Sequence, residues 1–395
     1  LSRCVKAVSE RICCMLMDSV DGSSSPPEEH TPILSTGVSL CYQVFGAKES
    51  PQGVLLMVMG LAGQMMSWPS PLIARFVALG FRVVRFDNRD IGLSTHFTEH
   101  DGVTLVQNNA RLAMAALGLP RWAIRAATLG SQPYALSAMA DDAVALLDHL
   151  GVERAHILGA SMGGMIAQHI LCSYPTRVRS ATLVMTSPGG ASMPRPNLAW
   201  LAAASEQLSQ RASNAGTPAG VDAGLAILDL FAAPHRTPRP SETPWIREHI
   251  IALDARKDAA ADEAGTRRQL AAIVEDGSRA HLLATHAAGP HRDIPVAIVH
   301  GPSDPLVPVG CGRALHSMIH GATFSLFNEM GHDLPESVWE ELAQIVLACA
   351  NDVASKQRAA KRERAVEAGR VRAAGVARAG GRANSSVQEP LLELT

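Results

Sequence analysis

Short runs of β-branched and apolar residues alternate along most of the chain with stretches in which apolar residues recur every three or four positions. The runs Val38–Phe45, Val54–Met59, Phe81–Asp87, Ala155–Ala160, Ala181–Thr186, Val296–His300 and Thr323–Phe327 predict strands. The stretches Leu72–Leu79, Ala138–Leu150, Met162–Tyr174 and Leu334–Ala350 predict helices between and after them. Such alternation is the pattern of an α/β protein. Parallel neighbours need a crossover long enough for a helix, so a mostly parallel sheet flanked by helices is expected.

The alternation stops between Ser187 and Pro290, where Ala-rich amphipathic stretches follow one another with no strand between them. Four helices are predicted there, over Leu198–Arg211, Val221–Ala232, Trp245–Lys257 and Glu263–Glu275, with the proline-rich PHRTPRPSETP as a non-helical connector. An all-helical insertion in an α/β chain is expected to cap the carboxyl edge of the sheet, where such folds bind ligands. The expected organisation is therefore a core of residues 32–187 and 291–350 with a cap of residues 188–290.

The two ends lack this patterning. Residues 1–31 finish in a Ser/Pro/Glu-rich stretch and are expected to form a disordered leader, and 351–395 form a basic tail rich in Ala, Arg and Gly that is expected to be disordered or partly helical, so neither end is expected to bury a core. Near the start, the apolar run Ile12–Met17 is shorter than the roughly 7–15 residues of a secretory core segment. No run approaches the roughly 20 apolar residues of a membrane span.

Composition narrows the function classes. With 47% hydrophobic and 18% charged residues the chain reads as globular, and a formal net charge of -2 gives no field for nucleic acid or an anionic membrane. Seven cysteines without C-x-x-C spacing or a disulfide rhythm read as reduced thiols of a cytoplasmic protein. Segments rich in Gly lack both the G-K-[ST] and G-x-G-x-x-G spacings, so no nucleotide or flavin cofactor is expected. His316 and His320 stand four apart but lack the glutamate and third ligand of a zinc motif, so no metal is expected either.

The strongest chemical signal is Gly159-Ala160-Ser161-Met162-Gly163-Gly164, which follows the strand AHIL and opens the helical run MIAQHILCSY. That is the strand-to-helix context of a G-x-S-x-G elbow, in which Gly159 and Gly163 let strand and helix approach closely. A serine hydroxyl needs a base to take its proton and an acid to orient that base. Both follow downstream: Asp304 in the loop after the strand VAIVH, and His332 in the loop after TFSLF, at one rim of the sheet. Asp304 also suits a turn before Pro305, and the neighbouring Asp333 suits the N-cap of the last helix. The oxyanion of an acyl-transfer intermediate would be held by the backbone N–H of Met162 and that of Leu61, in the glycine-flanked loop after VLLMVMG. The polar loop Asp87–Ser94 is expected to be a hydrogen-bonded turn bracing the edge near the elbow.

The blocks VMGLAGQMMSWP, FRVVRFDNRDIGLSTHF, MADDAVALLDHLGVERAHILGASMGGMIAQ, HGPSDPLVP and GHDLP together resemble the bacterial α/β-hydrolase group that includes aclacinomycin methylesterase. The resemblance runs over roughly residues 36–350 and is weakest through the helical insertion. It implies an α/β-hydrolase fold with an eight-stranded-type sheet, a triad of Ser161, Asp304 and His332, and oxyanion amides at Leu61 and Met162. The implied activity is cleavage of a carboxylic ester of a small molecule without a cofactor. An acyltransferase or a cofactor-independent perhydrolase would use the same triad, and a ligand-binding protein could share the scaffold without any chemistry.

Overall fold

The computed structural model describes residues 28–97, 114, 134–256 and 259–352. Residues 1–27, 98–113, 115–133, 257–258 and the tail beyond Asp352 lie outside the described residues. The seven apolar runs pair with one another as β1 (Tyr42–Phe45), β2 (Gly53–Val58), β3 (Phe81–Phe86), β4 (Ala155–Ala160), β5 (Val178–Val184), β6 (Val296–His300) and β7 (Thr323–Leu326). Their order is β1-β3-β2-β4-β5-β6-β7; β1 runs antiparallel to β3 and every other pair is parallel. Among the described residues the sheet thus has seven strands, one fewer than an eight-stranded one. His30 and Ile33 meet Tyr42 and Ser39 only as isolated antiparallel bridges.

Side chains alternate between the two faces of each strand. Leu55 and Met57 of β2 join Val83, Leu158 and Ala160 in one core, covered by α1 (Ser70–Ala78) and α10 (residues 339–352 among those described). Val54, Leu56 and Val58 join Ile157 in the other, covered by α2 (Leu136–His149) and α3 (Met162–Ser173). Each large apolar side chain buried in this way contributes roughly 1.5–3 kcal/mol.

Between β5 and β6 the chain forms α4 (Leu198–Ser213), α5 (Pro218–Phe231), α6 (Pro244–Ala255), α7 (Ala259–Asp276) and α8 (Ala280–Ala288). The first four match the predicted helices within a few residues. The fifth is unpredicted: α8 buries Leu283 and His286 and packs on α3 and on α9 (Val309–Met318), so it belongs to the layer flanking the sheet.

The apolar cluster inside the insertion is small, with only Val221, Leu225 and Ile250 buried at its centre. Ion pairs add to its grip on the rest of the fold. Arg256 pairs with Asp87 at 2.8 Å, Arg268 with Asp90 at 2.7 Å, and Arg236 with Asp333. Helix α7 lies so close to the Asp90 turn that a Cβ on Gly265 would stand 1.9 Å from the Asp90 carbonyl oxygen. Asp90 is fully buried at a φ of +70°, bonded to both Nε and Nη2 of Arg268 and to the Phe97 N–H. Burial alone would raise its pKa, but the Arg268 and Phe97 bonds overcome this and hold the carboxyl below its usual range.

Removing one partner of such a pair strands the other charge in the interior. Arg268→Ala is therefore expected to cost about 3–5 kcal/mol in urea unfolding. A loss below 1 kcal/mol would show that the pair is idle. Because the folded-state pKa of Asp90 is depressed, its contribution is present above the unfolded carboxylate value, about 3.9, and is lost as the pH falls through the lower folded value.

Candidate active site

Strand β4 ends at Ala160 and α3 starts at Met162, so the turn between them is a single residue, Ser161. It adopts φ +55° and ψ -119°, a conformation that residues with a Cβ rarely take. Two glycines make the turn possible. A Cβ on Gly163 would lie 2.0 Å from the Val58 carbonyl oxygen, and one on Gly159 would lie 2.4 Å from that of Gly163. The strained turn lifts the serine hydroxyl off the sheet edge at the N-terminus of α3, where backbone N–H groups have no helical partner.

Asp304 and His332 come to this point from the loops after β6 and β7. His332 Nε2 lies 3.0 Å from Ser161 Oγ, and His332 Nδ1 lies 2.8 Å from Asp304 Oδ2. A carboxylate only accepts, so Nδ1 carries the proton and the Nε2 lone pair faces the serine hydroxyl. The other carboxylate oxygen, Oδ1, accepts from the Leu306 N–H at 2.9 Å and the Val307 N–H at 2.8 Å. The turn role and the pairing role of Asp304 thus coexist on separate oxygens. Burial pushes this carboxyl up, yet His332, His300 and the Val307 amide together bring it below the ordinary carboxylate range.

Gly60 touches the serine: a Cβ on it would stand 3.1 Å from Ser161 Cβ. The next residue, Leu61, and Met162 on the far side of Ser161 both have backbone N–H groups that make no hydrogen bond among the described residues. The loop between Gly60 and Gln64 closes on itself through Gly63 N–H to Gly60 C=O, 3.3 Å, with Ala62 at φ +61°.

Several residues have duties that the sequence did not disclose. His300, fully buried at the end of β6, donates Nε2–H to the Val307 carbonyl at 2.7 Å and lies 3.5 Å from Asp304 Oδ2. It is the histidine of the HGPSDP block, and its proximity to the acid follows from that spacing. Asp333 is not a helix N-cap: Pro335 starts the turn Glu336–Val338 that leads into α10. Its carboxylate instead meets Arg236 from the insertion and accepts from the Gly331 N–H, because the loop turns it toward α5. The Asp87–Ser94 loop does brace the edge near the elbow, since Asn88 donates to the Met59 carbonyl at 2.9 Å. It also anchors the insertion, which a local turn would not.

The insertion reaches the histidine directly. The Phe231 carbonyl accepts the His332 N–H at 2.8 Å, and the Phe231 ring sits 5.6 Å from the imidazole with Trp200 stacked behind it at 5.4 Å. Trp245 lies elsewhere, against Trp339 of α10. His316 packs on the Phe324 ring and His320 is exposed, and no group of three metal-binding side chains occurs among the described residues. No helix among them is long and apolar enough to cross a membrane.

Comparison with known proteins agrees with this architecture. The chain is 25% identical over 314 residues to rhodomycin D methylesterase DnrP of Streptomyces peucetius, covering 77% of this chain and 92% of that protein. Among solved structures, 2-hydroxy-6-oxo-6-phenylhexa-2,4-dienoate hydrolase from Rhodococcus sp. strain RHA1 superposes with a TM-score of 0.57 at 17% identity, over 82% of this chain and 99% of that one. An esterase from Exiguobacterium antarcticum gives 0.55 at 18% identity, over 82% and 100%. At such identities these structures speak for the fold alone. The family model described as alpha/beta hydrolase fold matches residues 53–337, most of the chain and every strand but β1, and the chain belongs to that family.

Proposed function

We propose that this protein is a serine hydrolase that cleaves a carboxylic ester through an acyl-enzyme, with Ser161 as nucleophile, His332 as base and Asp304 as the acid that orients it. The observation that carries the reading is the unbroken row from Ser161 Oγ to His332 Nε2, 3.0 Å, and from His332 Nδ1 to Asp304 Oδ2, 2.8 Å. His332 takes the serine proton as Oγ attacks the ester carbonyl, and the ionised Asp304 stabilises the resulting imidazolium. The Leu61 and Met162 amides receive the oxyanion. His332 returns the proton to the departing alcohol, and water then repeats the path in reverse. Each proton and charge is handled by the chain's own groups, so no cofactor enters the scheme.

Residues 188–290 act in this reading as a cap, and residues 32–187 and 291–350 as the catalytic core. The relative named for methylesterase activity supports an ester as substrate. The reduced thiols of Cys41, Cys172 and Cys311 suit a reducing compartment, the cytoplasm.

The lining supports an uncharged acyl group. Next to His332 stands the ring of Phe231, backed by that of Trp200, and the buried cap arginines Arg236, Arg268 and Arg279 are already committed to Asp333, Asp90 and Asp276. p-Nitrophenyl butyrate is therefore expected to exceed the anionic p-nitrophenyl hemisuccinate in kcat/KM by roughly tenfold or more. Preference for the anion would sink the apolar reading. A fluorophosphonate should label Ser161, fluoride leaving as Oγ bonds phosphorus, and labelling should vanish in His332→Ala. A wild-type protein that stays unlabelled and turns over no ester would overturn the hydrolase assignment.

A further inference from the structure

One side chain of the helical insertion holds the loop that carries an oxyanion donor. Gln269 of α7 is fully buried, about 200 residues along the chain from that loop. Its Oε1 accepts the Ala62 N–H at 3.1 Å, and its Nε2 donates to the Arg89 carbonyl at 2.8 Å. The amide orientation is fixed, because a backbone N–H can only donate and a carbonyl can only accept. Ala62 is held at φ +61°, which is unfavourable for any residue with a Cβ. Left free, this residue would relax toward negative φ and rotate the Leu61–Ala62 peptide, and the preceding peptide, which presents the Leu61 N–H, would shift with it.

We propose that Gln269 is a positioning residue for catalysis, which keeps the Leu61 N–H aimed at the oxyanion by bonding the next amide along and so makes α7 part of the active site. This rests on the oxyanion assignment made above. Neighbouring contacts point the same way. Gln64, at the far end of the loop, donates to the Leu253 carbonyl of α6 at 3.0 Å and accepts from Arg256 at 2.9 Å. The loop is thus tied at two places to the insertion and closes on itself through Gly60 and Gly63. The Leu61 N–H makes no hydrogen bond among the described residues and follows Gly60, the residue that lies against Ser161.

The donors stabilise charge that exists only in the tetrahedral intermediate, so a slack loop should reduce kcat and leave KM alone. Deleting an oxyanion donor outright costs about 10²–10³ in kcat, and loosening one should cost roughly 10–100-fold. The test compares Gln269→Leu, which loses both bonds at similar volume, with Gln269→Glu, which restores an acceptor for Ala62. Each is assayed with p-nitrophenyl butyrate and with phenylboronic acid, whose boron forms a bond to Ser161 Oγ and becomes a tetrahedral anion.

Gln269→Leu should lower kcat and weaken phenylboronate by the same factor, with KM within twofold and Ser161 still labelled by fluorophosphonate. Gln269→Glu should recover at least tenfold of that loss. Equal losses in both variants, or lost turnover with unchanged phenylboronate affinity, would overturn the proposal and leave Gln269 a packing residue. Should the leucine variant fail to fold, the glutamate variant decides alone: a fall above tenfold in kcat with an unchanged melting temperature would count against it. If wild-type protein neither labels nor binds phenylboronate, the hydrolase reading has failed instead, a result separable from all of these.

Discussion

Ser161→Ala and His332→Ala should each lower kcat for ester hydrolysis by roughly 10⁵-fold or more, and the double variant should be hardly worse than either. In the proposed mechanism nucleophile and base act in one step, so the second deletion finds little left to remove. Asp304→Asn makes the sharper test. Its carbonyl oxygen can still accept the Leu306 and Val307 amides, so the turn survives. Its NH₂ group then replaces the oxygen that now sits 2.8 Å from His332 Nδ1. Two donors cannot share one hydrogen bond, so the imidazole must carry its proton on Nε2, the atom that should receive the serine proton. The expected loss is about 10⁴-fold in kcat with KM and folding little changed. Near-full activity in Asp304→Asn would remove Asp304 from the mechanism. Ester turnover retained by Ser161→Ala would remove the mechanism itself.

A large loss of stability is also expected from a single methyl group. Gly163→Ala places a Cβ 2.0 Å from the Val58 carbonyl oxygen and 2.8 Å from that of Met59. Both obstacles are backbone atoms at the end of a central strand, which cannot swing aside as a side chain would. Either α3 backs away from β2 or the elbow rebuilds, and overpacking of this kind costs about 3 kcal/mol or more. Gly37→Ala is the control: φ there is +78°, and nothing lies within 4 Å of the new methyl. It should cost only the roughly 1–2 kcal/mol of the left-handed conformation. The two are separable by urea unfolding, and equal costs would mean that close approach at the elbow is unimportant. The alanine variant at Gly163 should also lose activity, since any retreat of α3 carries the Met162 amide with it.

How far the sequence discloses all this depends on whether a residue's partner is near in sequence or defined by a repeating pattern. Strand runs and the elbow are of the second kind: a period of two, a glycine on each side of a serine, a strand before and a helix after. The meeting of Asp304 and His332 is legible because two successive strands deliver them to one edge. Boundaries were less so. The run read as Ala181–Thr186 begins at Val178, since Ser180 pairs with His156 inside the sheet, and it stops at Val184 because Met185 turns to φ +41°. Asp333, Gln269 and Arg268 were misread or passed over for another reason. Each bonds a residue about 100 to 200 positions away, and a polar side chain in an Ala-rich helix looks the same in sequence whether it faces water or a buried backbone.

The bond from the Phe231 carbonyl to the His332 N–H also bears on how such insertions are exchanged. In a chimera the helices of another hydrolase would replace α4–α7 to change substrate range, as though a lid were being swapped on a finished vessel. Here the rim is cast in both pieces. A Cβ on Gly331 would stand 2.0 Å from that same carbonyl oxygen, so the histidine loop has been shaped to one donor segment. A graft would have to bring its own equivalents of Phe231 and Arg236, or redesign residues 330–333 to suit the newcomer. The smallest transplantable unit is then the insertion together with the histidine loop, and libraries that vary the one should vary the other with it.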